Sequence, residues 1–212
     1  MYDFFKKTFE LDVDSTVVDT NLLIDSFVDK QLGELMSQFG GQSFNQGLYR
    51  IFTTETISYW NGLIEMAFPK FAGRVTCFAA DWLGRVFALD TGRLVAGYPS
   101  VILFEPGTAQ ALNIPCNLES FHEVELNQYR EAALSESFYK RWLAQGGGSL
   151  KISQCVGYKV PLYLGGKDEV KNLQLTDMQV YWEISAQLIN KTRDLPVGTK
   201  IDRVSISNKD SN

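Results

Sequence analysis

Between residues 74 and 114 the chain breaks into short β-type runs, each followed by residues that turn it. Arg74 to Ala80, Arg85 to Asp90 and Val101 to Glu105 are rich in β-branched, aromatic and other apolar side chains. Asp81 to Gly84, Asp90-Thr-Gly-Arg93 and Gly97-Tyr-Pro-Ser100 separate them. Glu105-Pro-Gly-Thr108 makes a further turn before a return strand over Ala109 to Ile114. Links this short suit antiparallel neighbours, whereas parallel neighbours need a long crossover. The segment therefore predicts an antiparallel meander.

The flanking segments follow a different period. Ile24, Phe27, Val28, Leu32, Leu35, Met36 and Phe39 recur at helical spacing, which predicts a helix from Asn21, as N-cap, to Phe39. Gly40-Gly41 stops it. Gly47 to Phe52 forms a short strand in this reading. A second helix runs from Thr54 to Phe68 and ends before Pro69. After the meander, Ser120 and Glu123 form a capping box that opens a helix. The helical pattern continues, with a break near Ser135, to Gln145. Phe138 and Trp142, one turn apart, face the core.

Cys155-Val-Gly-Tyr-Lys-Val-Pro-Leu-Tyr-Leu-Gly-Gly-Lys167 predicts a strand from Gly157 to Leu164 that stops at a glycine turn. Thr176 and Gln179 form a second capping box, and Met178, Tyr181, Trp182, Leu188 and Ile189 give the helix behind it an apolar side. A last strand near Lys200 to Ile206 and a polar, disordered tail over 207 to 212 complete the reading. The order is helices, strands, then helix, strand, helix and strand. That order gives an α+β fold, a mainly antiparallel sheet packed with helices and a helical N-terminal part. A soft boundary at Ala72-Gly73 divides the chain into residues 1–72 and 73–206.

Charge narrows the partners. Residues 1 to 29 hold seven of the 25 acidic side chains (Asp3, Glu10, Asp12, Asp14, Asp19, Asp25 and Asp29) but only Lys6 and Lys7 of the 20 basic ones. The rest of the chain is balanced, so the net charge of −5 belongs to this arm. Attraction to nucleic-acid phosphates rests on Lys and Arg, which argues against direct nucleic-acid binding. The arm is either a solvated face or a surface for a basic protein partner. No apolar run reaches the ~20 residues of a membrane helix, and the first residues lack a signal-peptide pattern. A cytoplasmic location is expected. Cys77, Cys116 and Cys155 are too widely spaced for a zinc knuckle or a redox pair, and read as small buried hydrophobes.

No catalytic set emerges. Gly165-Gly-Lys167 fails the phosphate-loop pattern, because Pro161 stands where the first glycine belongs and Asp168 where Ser or Thr belongs. Gly146-Gly-Gly148 lacks the lysine. His122, the single histidine, has Glu125 three residues on but no nucleophile motif nearby, and reads as a surface residue near a helix start. Glu119, Glu123 and Glu125 suit the helix macrodipole there. Asp81 and Asp90 shape turns or bind a cation. Trp82, at a turn, is either core or an interface anchor. Alternation places Lys159, Pro161 and Tyr163 on one strand face, which is either a recognition surface or a face packed on a helix. The candidate partner-binding residues are Asp12, Asp14, Asp19, Asp81, Trp82, Lys159 and Tyr163. No catalytic residue, cofactor or metal is expected.

Five segments fall in a family order: Asp81-Trp-Leu-Gly-Arg-Val-Phe-Ala-Leu-Asp90, Leu103-Phe-Glu-Pro-Gly107, Phe138 with Trp142, Cys155 to Gly166, and Asp177 with Tyr181-Trp182. Together they resemble the C-terminal domain of type VI secretion DNase immunity proteins. Residues from about Phe27 to Ala72 are similar to the GAD-like domain that often precedes it. The resemblance implies a cytoplasmic protein, not an enzyme. It would neutralise a cognate nuclease toxin by stoichiometric steric and electrostatic blockade. The GAD-like part also permits an alternative, an RNA- or tRNA-associated accessory module, which the negative charge opposes.

Overall fold

The structure, a computed structural model, describes residues 1–13, 29–196 and 198–199. The chain opens with α1 (Asp3–Thr8), a single short turn of helix held down by aromatic side chains. Tyr2, Phe5 and Phe9 are buried, and the Phe5 ring meets Phe39, Phe44, Tyr49 and His122. Glu123 lies across its N-terminus, accepting the Phe4 and Phe5 N–H groups at 3.1 and 3.3 Å. A carboxylate there meets both the unpaired donors and the positive end of the helix. The sequence showed Glu123 as a helix-start charge; its partner is a different helix, more than a hundred residues away.

Next come α2 (Lys30–Phe39), β1 (Ser43–Phe44), β2 (Tyr49–Ile51) and α3 (Thr54–Ala67). α2 begins later than its periodicity predicts. Asp29 is extended and accepts the Gln31 and Leu32 N–H groups at 2.8 and 3.1 Å, so it is the N-cap. The expected cap, Asn21, lies outside the described residues. The meander follows as β3 (Val75–Asp81), β4 (Val86–Val95), β5 (Tyr98–Glu105) and β6 (Gln110–Asn117). β1 to β6 form one antiparallel sheet in sequence order. β2 pairs with β3, Ile51 opposite Ala79, so hydrogen bonding crosses the segment around Ala72-Gly73.

Val86-Phe-Ala-Leu89 and Val101-Ile-Leu-Phe104 are unbroken apolar runs because both faces of the sheet are covered. Phe87, Leu89, Val101 and Leu103 join a core with α1, α2 and the helices after β6. Val86, Ala88, Ile102 and Phe104 join another core with α3 and the last helix. The result is three layers, helices on each side of an antiparallel sheet.

After β6 the chain winds through α4 (Leu118–Ser120), a π turn (Phe121–Glu125), α5 (Leu126–Gln128), α6 (Arg130–Leu134) and α7 (Glu136–Ala144). The cap is Asn117, whose side chain accepts the Ser120 N–H at 2.9 Å; Ser120 does not open the helix. The expected break at Ser135 is present, with φ 51. A separate antiparallel pair follows, β7 (Gln154–Tyr158) and β8 (Leu173–Asp177), then α8 (Met178–Thr192). The strand predicted to Leu164 ends at Tyr158. Pro161 cannot donate to a ladder, and the Asn172 side chain instead holds Val160 by its N–H and C=O at 3.1 and 2.8 Å. Asp177, not Thr176, caps α8, accepting the Gln179 and Val180 N–H groups. The expected strand over 200–206 and the tail over 207–212 lie outside the described residues.

Candidate interaction site

The segments that stand out in the sequence converge on the turn between β3 and β4. Asp81 is buried, and its carboxylate accepts the Leu83 and Arg85 N–H groups at 3.0 and 2.9 Å. It also takes the Arg85 Nε at 2.6 Å, forming an ion pair within the turn. Arg85 continues to the Ala133 carbonyl at 3.0 Å. Burial pushes the Asp81 carboxyl up, and Arg85 and Arg50 pull against that shift. Trp82 donates its indole N–H to the Leu134 carbonyl at 2.8 Å and packs on Phe138 and Tyr139. Its own carbonyl accepts the Val156 N–H at 2.7 Å. Trp182 of α8 donates to the Gly84 carbonyl at 2.6 Å. Gly84 has φ 72, and a Cβ there would lie 3.0 Å from the Cys155 sulfur. The turn thus ties the sheet to α6, β7 and α8 at once.

Two of the residues expected to meet a partner are therefore interior. Asp81 and Trp82 are fully buried, so neither is a surface contact; Trp82 is core, held where the helices after β6 close over the turn. Asp12 is half-buried and accepts the Ser43 hydroxyl at 2.6 Å and the Gln46 and Gly47 N–H groups at 2.6 and 2.8 Å. It organises the β1–β2 turn, where Asn45 and Gln46 both have positive φ. Asp14 and Asp19 lie outside the described residues. Lys159 is exposed and donates from Nζ to the Lys171 carbonyl at 2.8 Å. Tyr163 is half-buried in a 3-10 turn (Leu162–Leu164) against the core on the α8 side, so it shares no strand face with Lys159.

His122 corrects another expectation. It is wholly buried rather than on the surface, between the Tyr49 hydroxyl at 3.0 Å and the Leu118 carbonyl at 2.9 Å. The carbonyl can only accept, so Nδ1 carries the proton and Nε2 accepts from Tyr49. Burial lowers its pKa to about 4. The three thiols are buried and free, and burial raises Cys116 and Cys155 to about 12. Among the described residues, no group of three His, Cys, Asp or Glu side chains is placed to hold a metal ion, and no helix is long and apolar enough to cross a membrane.

The surface carries what the motifs did not reveal. β4 does not turn at Asp90-Thr-Gly-Arg93; its register shifts there, and the ladder resumes at Leu94 opposite Pro99. Asp90 anchors the irregularity through Arg74, whose Nε and Nη2 each lie 2.7 Å from its carboxylate oxygens. The hairpin then closes at Ala96-Gly97, with φ 52 and 83, a type I′ turn. This end of the hairpin is mostly exposed, Leu94 to 64% and Tyr98 to 42%. On another side, a cleft of about 640 Å³ opens beside the N-terminal arm, lined in part by Asp12, Gln46, Arg130, Tyr139, Lys140 and Lys151.

Residues 116–189 match the family model of the T6SS immunity protein Tdi1, C-terminal. Over that stretch, about a third of its length, the chain is similar to this immunity protein family. The match takes in the π turn, α6, α7, both strands of the small sheet and most of α8, the elements gathered around the β3–β4 turn. No curated protein matches the chain in sequence. In fold it is similar to the crystal structure of Atu4351 from Agrobacterium tumefaciens, with a TM-score of 0.62. That likeness covers 88% of this chain and 89% of the other at 16% identity, which speaks to architecture only.

Proposed function

We propose that this protein is a cytoplasmic immunity protein that neutralises a cognate type VI-secreted DNase toxin. It would bind the toxin stoichiometrically and block it by bulk and charge, without turnover. The observation that carries the reading is the immunity-family match over residues 116–189. The side chains support a binder. The lone histidine and all three thiols are buried away from any substrate. The acidic bias of residues 1 to 29 suits a basic nuclease, which must itself attract DNA. In this reading Asp14, Asp19, Lys159, Tyr163 and the exposed hairpin side chains Leu94 and Tyr98 contribute the contact. Asp12 contributes indirectly, by holding the β1–β2 turn. Residues 27–72 would form the GAD-like part of the same sheet-bearing unit.

The test is co-purification of the tagged protein from its own cells at moderate salt, followed by a DNA-cleavage assay. Recovery of a nuclease whose cleavage stops at one equivalent of this protein supports the reading. Charge reversal of Asp14 and Asp19 should then slow association. A folded preparation that leaves the captured nuclease fully active at excess would overturn it.

A further inference from the structure

A second feature of the interior has no part in toxin binding as proposed. Arg50, on β2, is 1% exposed, yet among the described residues its guanidinium has no carboxylate partner. Nη1 donates to the Gln154 and Lys151 carbonyls, and Nη2 to the Asp81 carbonyl at 2.6 Å. The Asp81 carboxylate is already engaged by Arg85. The cluster therefore buries two guanidinium groups around one carboxylate. An unbalanced buried charge is costly, and proteins normally pair it.

The unpaired edge is specific. Nε finds no acceptor among the described residues. Beside it Nη2, in addition to its bond to the Asp81 carbonyl, meets the thioether sulfur of Met178 at 3.9 Å, a weak acceptor. This is the edge that Arg74 uses to hold Asp90, with Nε and Nη2 both at 2.7 Å. A fork of two parallel donors matches a carboxylate. Arg50 also lines a pocket of about 270 Å³. Its wall includes Phe52 and Trp60, stacked at 4.9 Å and 6° between planes, and Thr56 and Gln179 also line it. Among the described residues, two acids nearby in the fold are occupied. Asp177 caps α8, and Glu55 stays on its own N–H and on Thr53. The volume is below the ~300 Å³ at which drug-sized sites begin, which excludes a nucleotide.

We infer that this pocket binds a small monocarboxylate with a flat apolar body, its carboxylate seated on the Nε and Nη2 edge of Arg50. The apolar body stacks along Phe52 and Trp60. The flexible Met178 thioether yields its place to the carboxylate, exchanging a poor acceptor for a charged one. The inference is independent of the immunity role.

The test uses the full chain and two probes of one shape, phenylacetate and its uncharged amide. Phenylacetate should bind saturably at millimolar concentration, raise the melting temperature and change tryptophan emission. The amide should bind about tenfold more weakly, because it cannot supply two anionic acceptors. Thr56→Phe, which fills the pocket without touching the guanidinium, should abolish the response while the protein still melts cooperatively. Arg50→Lys should weaken binding too, but it can also unfold the chain, so the probe comparison on the unaltered protein decides. No saturable response to phenylacetate, or equal binding of the amide, would overturn the inference.

Discussion

The two ends of β4 obey opposite rules. At Val86 the strand leaves a turn whose carboxylate, guanidinium and indole are hydrogen-bonded inside the protein. At Val95 it leaves the body of the molecule altogether. The buried end carries the residues that look like a signature: Asp81, Trp82, Gly84 and Arg85. The exposed end carries Leu94, Ala96 and Tyr98, which resemble any surface hairpin. The difference has a physical origin. A buried turn that must join four elements tolerates few residue types, because each donor, acceptor and void is matched. An exposed hairpin needs only a turn that fits its twist. The buried end thus reflects how the chain folds, whereas the exposed end places few demands on residue type.

If the buried end is a hub, breaking it should be the most damaging change. Asp81→Ala removes the acceptor for two turn N–H groups and leaves Arg85 and Arg50 buried without an anion. Loss of one partner of a buried pair costs about 3–5 kcal/mol. Urea unfolding should show a loss of that size; a cost under about 1 kcal/mol would mean the turn behaves like surface.

The next effect separates the interior from the surface by pH. His122 is neutral when folded, with its pKa lowered to about 4 by burial, against about 6.5 unfolded. Between those values the unfolded chain binds a proton that the folded chain does not. Stability should therefore fall as pH drops from about 6.5 to 4, by up to about 3 kcal/mol. His122→Gln should flatten that slope, measured by denaturation across the range. An unchanged slope would show that other groups govern it.

Much of the architecture was legible in the chain because it is locally encoded. The antiparallel meander is legible in its β runs and turn residues, although β4 runs on through Asp90 to Arg93 and turns at Ala96-Gly97; α3 and α8 follow from their apolar stripes, and the Ser135 break from its place in the helical pattern. The misreadings concern residues whose surroundings are assembled from afar. Trp82 follows a turn aspartate, and turns are ordinarily surface; only α6 and α7 folding over it make it core. His122 resembled an exposed helix-start residue until Tyr2, Phe5 and Tyr49 closed around it. β8 escaped notice because Leu173-Gln-Leu-Thr-Asp177 is largely exposed and reads as a polar loop. Arg50 gave no signal at all: one arginine in a short strand becomes unusual only once it is known to be buried.

A smaller effect tests the exposed end. Ala96 holds φ 52, a conformation that costs a residue with a Cβ, and type I′ turns favour Asn before Gly. Ala96→Asn should stabilise the protein by about 0.5 kcal/mol, if the hairpin end unfolds with the rest. If it frays independently, the global melting temperature will not move. Local hydrogen exchange at Val95 and Tyr98 would slow instead.

The smallest expected change in stability decides most about the comparison. Leu94 and Tyr98 are exposed on opposite faces of the hairpin, so Leu94→Ser with Tyr98→Ser removes little buried area. Surface changes of this kind usually fall within about 0.5 kcal/mol. Unfolding should be nearly unchanged, whereas binding to the cognate toxin should weaken, mainly through faster dissociation, because rigid apolar and aromatic side chains carry much of an interface's energy. Intact binding would remove the hairpin from the contact and shift attention to the acidic arm. A large loss of stability would carry a different message: the exposed end would be coupled to the sheet as tightly as the buried one, and the contrast between the two ends of β4 would fail.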